Sequence, residues 1–115
     1  MKHVCTTLQL LIAVSSAPTF AADAEAGLLA IKALGDVNGQ ALACAETRVA
    51  ARAKQLMLAH APKTQRFGAA YEEATQEAFS AQTRSGNPCA DATELTARLN
   101  QLALQLSETL PVAAK

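Results

Sequence analysis

Apolar residues recur at helical spacing over four stretches of the chain, and each stretch closes on a recognisable stop signal. In the first, Leu28, Ile31 and Leu34 repeat every three residues, with Lys32 and Asp36 set as an i, i+4 pair on another face. The spacing predicts a short helix over about 23–34. The run Gly35-Asp36-Val37-Asn38-Gly39 then predicts a break or sharp kink, because glycine and asparagine readily take the left-handed conformation that ends helices. A helix running straight through would instead keep Ile31, Gly35, Asn38, Leu42, Ala45, Val49, Leu56 and His60 on one face.

A second helix is predicted over about 40–60, ahead of Pro62. It has one apolar sector through Leu42, Val49 and Leu56 and another through Cys44, Ala51 and Leu58, separated by Arg48 and Arg52, which predicts neighbours on two sides. A third helix over about 64–84 starts at Thr64 as cap, turns Phe67, Tyr71, Ala74, Ala78 and Ala81 inward, and carries Glu72, Glu73 and Glu77 outward. After Ser85-Gly86-Asn87-Pro88, a fourth helix over about 88–110 is capped by Asn87 or by Asp91 with Glu94. Its seam is Leu95, Leu99, Leu102, Leu106 and Leu110.

Ahead of these lies a segment of different grammar. Met1, Lys2 and His3 lead into the apolar stretch Val4 to Val14, which gives way to Ser15, Ser16, Ala17 and Pro18. That order is the order of a secretory signal peptide, and its apolar core of about eleven residues is well short of the roughly 20 that span a bilayer. Cleavage is expected after Ala21 or Ala22, so that residues 1–22 leave, Cys5 among them, and 23–115 form one helical domain without a membrane anchor. The short basic start suits bacterial export, to the periplasm or, alternatively, fully secreted.

Export changes the reading of the cysteines that remain. In an oxidising compartment Cys44 and Cys89 are expected to pair. An up-down-up arrangement brings the start of the second helix and the start of the fourth to the same end of a bundle, so the bond is geometrically easy. The reading is a structural disulfide, since neither cysteine belongs to a Cys-x-x-Cys redox motif. The fold class is therefore all-α: a small three- or four-helix up-down bundle stapled by one disulfide. Composition agrees, with no tryptophan and only Phe67, Tyr71 and Phe79 as aromatics beyond residue 22. Beyond the cleavage site nearly equal numbers of cations and anions remain, which argues against nucleic acid as a partner.

Candidate chemistry is sparse. His60 is the single histidine after the leader, and no triad, metal cluster or phosphate loop accompanies it, so no enzyme is expected and no cofactor. Met57 and His60, three residues apart, are candidates for a copper ion or haem iron, and with Tyr71 they define the alternative reading as a periplasmic carrier of a small ligand or metal. Two surfaces are candidates for partners. His60, Lys63, Thr64, Arg66 and Phe67 gather cations, a hydroxyl and an aromatic near a helix N-terminus, which suits an anion or an acidic partner. Leu28, Ile31 and Leu34 are left as an interaction face if the first helix does not fold back, and a continuous rod is then expected to dimerise through them. The functional expectation is a non-catalytic binding or accessory module of the bacterial envelope, engaging another envelope protein as a monomer or homodimer.

Overall fold

The computed structural model describes residues 19–112. The apolar core of the segment read as a signal peptide, Val4 to Val14, lies outside the described residues. Four helices follow in order, α1 (Thr19–Ala43), α2 (Thr47–His60), α3 (Gln65–Ser85) and α4 (Ala92–Thr109), and there is no strand among the described residues. The helix starts follow their cap chemistry where the sequence supplies it. Thr64 Oγ1 accepts from the Phe67 amide at 3.5 Å, and Asp91 Oδ1 accepts from the Glu94 amide at 2.8 Å. The fourth helix therefore begins at the Asp91 cap, and Asn87 and Pro88 stay in the connection. Gly86 closes α3 in the left-handed region at φ 66°.

The first break does not fall where the glycines stand. α1 runs unbroken through Gly35 and Gly39, and the chain turns only at Cys44-Ala45-Glu46. There Glu46 N–H reaches back to Ala41 O at 2.8 Å and Ala45 N–H to Leu42 O at 3.4 Å, with Ala45 at φ 58°. This pair of bonds is a Schellman stop with alanine in the position that usually holds glycine. The break expected at 35–39 and the second helix expected from 40 are both corrected by it.

What the two glycines do instead is let α3 lie against the α1 backbone. A Cβ on Gly35 would stand 2.6 Å from Tyr71 O and 2.8 Å from Ala74 Cβ; one on Gly39 would collide with Thr75 O and stand 2.8 Å from Ala78 Cβ. Small residues four apart on both helices thus form facing rows, Gly35 and Gly39 on one and Ala74 and Ala78 on the other. Asn38, buried between them, donates from Nδ2 to Thr75 Oγ1 at 3.2 Å, and Thr75 donates in turn to Tyr71 O at 2.8 Å. The side chain that suggested a helix stop is a polar pin between two helices.

These contacts set the topology. Gly35 meets Tyr71 and Ala74 while Gly39 meets Thr75 and Ala78, so α1 and α3 run parallel. Arg52 pairs with Asn100 and His60 with Leu110, so α2 and α4 also run parallel. Gln40 meets Arg98 and Gly27 meets Leu110, so α4 runs antiparallel to α1. α1 packs against all three other helices and α2 packs against α4, while α3 is held almost wholly by α1. The bundle is a three-helix unit of α1, α2 and α4 with α3 set along α1 as a fin.

The core follows from this centring on α1. Ile31 and Leu34 are fully buried, Leu28 nearly so, and they meet the α4 seam of Leu95, Leu99, Leu102 and Leu106. The expectation that Leu28, Ile31 and Leu34 form an interaction face is thereby corrected: α1 is a continuous rod, yet its apolar stripe is covered by the rest of its own chain. On α2, Val49, Ala50 and Ala53 are buried, whereas Ala51 and Leu58 remain exposed. The second apolar sector of α2 therefore lacks the neighbour expected for it.

Cys44 and Cys89 stand with Sγ atoms 2.09 Å apart and Cα atoms 5.8 Å apart. They tie the α1–α2 turn to the α3–α4 connection, so the fin is anchored at that end of the bundle. At the other end His60 Nδ1–H donates to Leu110 O at 2.7 Å.

Two measurements check this packing. Urea titration of Gly39→Ala is expected to show a loss of about 1–3 kcal/mol from overpacking, although the same change in an open helix position adds stability. Gly68, which has open space where a Cβ would stand, supplies that control: Gly68→Ala is expected to gain about 1 kcal/mol from helix propensity. Separately, reduction, or replacement of Cys44 and Cys89 by serine, opens a covalent link across a sequence separation of 45. It is expected to lower the unfolding free energy by roughly 2–5 kcal/mol while a helical spectrum persists in the cold.

Candidate binding cleft

Because α2 and α3 both lean on α1 without packing on each other, a cleft opens between them. Its inner part, about 310 Å³, is lined by Asn38 and Leu42 from α1, Ala50, Ala51 and Lys54 from α2, and Tyr71 from α3. A second hollow of about 240 Å³ lies toward the α2–α3 connection, between Met57, Leu58, Ala61, Pro62, Lys63, Thr64 and Gly68. The sequence builds these walls by leaving the second apolar sector of α2 unpaired. Leu42 is 50% exposed and Leu58 64% exposed, so two large apolar side chains stand at the lips of the cleft in water. Lys54 and Lys63 lie along its rim, and no carboxylate lines either hollow.

Tyr71 is the wall residue with unusual chemistry. Its ring is half-buried, and its hydroxyl is buried without a hydrogen-bond partner. Desolvation by burial pushes the phenol up from 10.0 to about 12. An unpaired buried hydroxyl costs on the order of 1–3 kcal/mol, so this wall holds polarity that the fold does not use.

A second groove lies between α1 and α3. It measures about 570 Å³ and is lined by Lys32, Asp36, Glu73 and Glu77 over alanines 33, 70, 74, 78 and 81. A further hollow of about 280 Å³ continues it to Gln40, Gln82 and Asn87. It is the larger space, but its floor is methyl groups and its rim is solvated charge, with no large apolar side chain to cover.

The residues singled out from the sequence are distributed as follows. Of the group His60, Lys63, Thr64, Arg66 and Phe67, four have structural duties: His60 bonds Leu110 O, Thr64 caps α3, Arg66 meets Glu25 at 3.1 Å, and Phe67 is buried in the core. The group does not converge as an anion site, and of its members only Lys63 and the capping Thr64 line the cleft. Met57 and Tyr71 line separate hollows, while His60 faces the end of α4, so the structure does not gather Met57, His60 and Tyr71 into one pocket. Among the described residues no three His, Cys, Asp or Glu side chains are placed to hold a metal ion. No described helix is long and apolar enough to cross a membrane.

The sequence reasoning missed Leu42, Ala51, Lys54 and Leu58 as a surface. The signal for Ala51 and Leu58 is the second apolar sector of α2, which the pattern alone pairs with a neighbour in the same chain, whereas Leu42 stands on α1 and Lys54 belongs to neither sector. Comparison with protein-family models, with curated proteins and with solved structures gives no match.

The phenol supplies a pH prediction. A folded-state pKa above the unfolded value means that the unfolded chain releases the proton first, so stability is retained below pH 10 and falls as pH rises toward 12. Tyr71 is the single tyrosine in a chain without tryptophan, so tyrosinate absorbance reports it alone. In Tyr71→Phe the alkaline loss measured by urea titration is expected to shrink, and stability at neutral pH is expected to be unchanged or higher, because the unpaired hydroxyl is gone.

Proposed function

We propose that the chain is a small exported helical protein that acts without catalysis, as a binding or accessory module of the bacterial envelope, and that it seats its partner in the cleft between α2 and α3. The observation that carries this reading is the pair of leucines, Leu42 and Leu58, standing half or more exposed on a cleft that no other part of the described chain fills. With half of Leu42 and about two-thirds of Leu58 still in water, covering the remainder on a partner is worth roughly 1–2 kcal/mol each. That is a driving force the alanine-floored groove between α1 and α3 does not offer.

Export and the periplasm enter through the leader grammar of residues 1–22 and through Cys44 and Cys89, set at bonding distance in a domain whose stability gains from their pairing. The partner is another envelope protein.

A photo-reactive side chain at Leu58, with a control at Ala33 in the other groove, tests the reading in the native envelope. Crosslinks to a discrete partner are expected from position 58 and not from 33. Crosslinks only from 33, or from neither, would contradict it.

A further inference from the structure

The cleft also restricts the chemistry of what occupies it. We propose that it receives an acidic amphipathic helix of a partner protein. This rests on the reading of the chain as a binding module and adds the form and charge of the partner.

Form comes first. The floor is one helix and the walls are two others that scarcely touch, so the space is a trough bounded lengthwise by rods, the geometry in which an amphipathic helix lays its apolar stripe. From Ala51 to Ala61 the α2 wall runs about 15 Å, close to three helical turns. The exposed leucines sit at the lips: Leu42 beside the inner hollow and Leu58 beside the outer one. A small ligand seated in one hollow meets one of these leucines and leaves the other wet. A helix with apolar residues at i, i+3, i+4 and i+7 covers both at once.

Charge decides the flanks of that helix. Lys54 and Lys63 stand on the rim, neither has a carboxylate within ion-pair distance among the described residues, and no Asp or Glu lines either hollow. A basic helix would meet two like charges there, whereas an acidic one finds two counter-ions. A second copy of this chain is a poorer fit. Its carboxylates Glu72, Glu73 and Glu77 lie on α3, whose apolar side is already packed against α1.

Two synthetic helices with the same leucine stripe, one flanked by glutamates and one by lysines, test this on the disulfide-linked protein. Tyr71 emission serves as the reporter from within the cleft, and sedimentation monitors self-association. The glutamate helix is expected to bind saturably and the lysine helix about tenfold more weakly. In the double variant Lys54→Glu, Lys63→Glu the preference is expected to reverse. Leu58→Glu, at an exposed position, is expected to abolish binding while the helical spectrum stays unchanged. Equal binding of both helices, binding that survives Leu58→Glu, binding of neither, or self-association that Leu58→Glu abolishes would each overturn the proposal. Crosslinks from position 58 combined with equal binding of both helices would remove the acidic partner and leave the binding module standing. Absence of crosslinks at that position would remove the module reading itself.

Discussion

Where α3 crosses α1, two glycines leave the α1 backbone bare, and the placement of every other helix is conditioned by that contact. Gly35 and Gly39 admit Ala74, Thr75 and Ala78 to a distance at which any Cβ on α1 would collide. Each glycine costs about 1 kcal/mol of helix propensity relative to alanine. The cost is offset by close backbone packing and by the Asn38–Thr75–Tyr71 hydrogen-bond chain, which fixes the register of the two helices. With α3 seated in that crossing, parallel to α1, it scarcely touches α2 or α4. Those two close on each other over the leucine seam instead. The clefts on either side of α3 are the geometric remainder of that choice.

The disulfide and the opposite end of the bundle act on the same arrangement. α3 has little packing beyond α1, so its position depends on the links at its ends. Cys44 and Cys89 join the α1–α2 turn to the α3–α4 connection. At the far end the short α2–α3 connection, the Thr64 cap and the Arg66–Glu25 pair hold its beginning. The ion pair is exposed on both sides and contributes little. A trough whose two walls are independent helices keeps its width only because both ends of the fin are tied.

Much of this was legible in the residues. The leucine seam of α4, the Thr64 and Asp91 caps, the Gly86 stop and the meeting of the two cysteines all follow from local chemistry and up-down order. Gly35 to Gly39 misled because a glycine at a helix stop and a glycine at a close helix crossing look the same along the chain, and only the partner helix tells them apart. The real stop, Ala45, carries no local signature, since the Schellman bonds impose φ 58° on an ordinary residue. The two apolar sectors of α2 were visible, but a pattern records that a face is apolar and not whether this chain or another covers it. The cations around His60 looked like a site because sequence proximity hides their separate duties, to Leu110, to Glu25 and to the α3 cap.

The α1–α3 crossing places the rest of the bundle, and through-space proton contacts in the folded protein address it most directly. In a nuclear Overhauser spectrum the Gly35 Hα protons should show strong contacts to the Ala74 methyl, and the Gly39 Hα protons to the Ala78 methyl. Both glycines should sit within continuous helical sequential connectivities from one side of 35–39 to the other. If those cross-peaks are missing and the connectivities break between Gly35 and Gly39, with α3 methyls instead in contact with α2 and α4, the crossing is wrong. The cleft between α2 and α3 would then not exist.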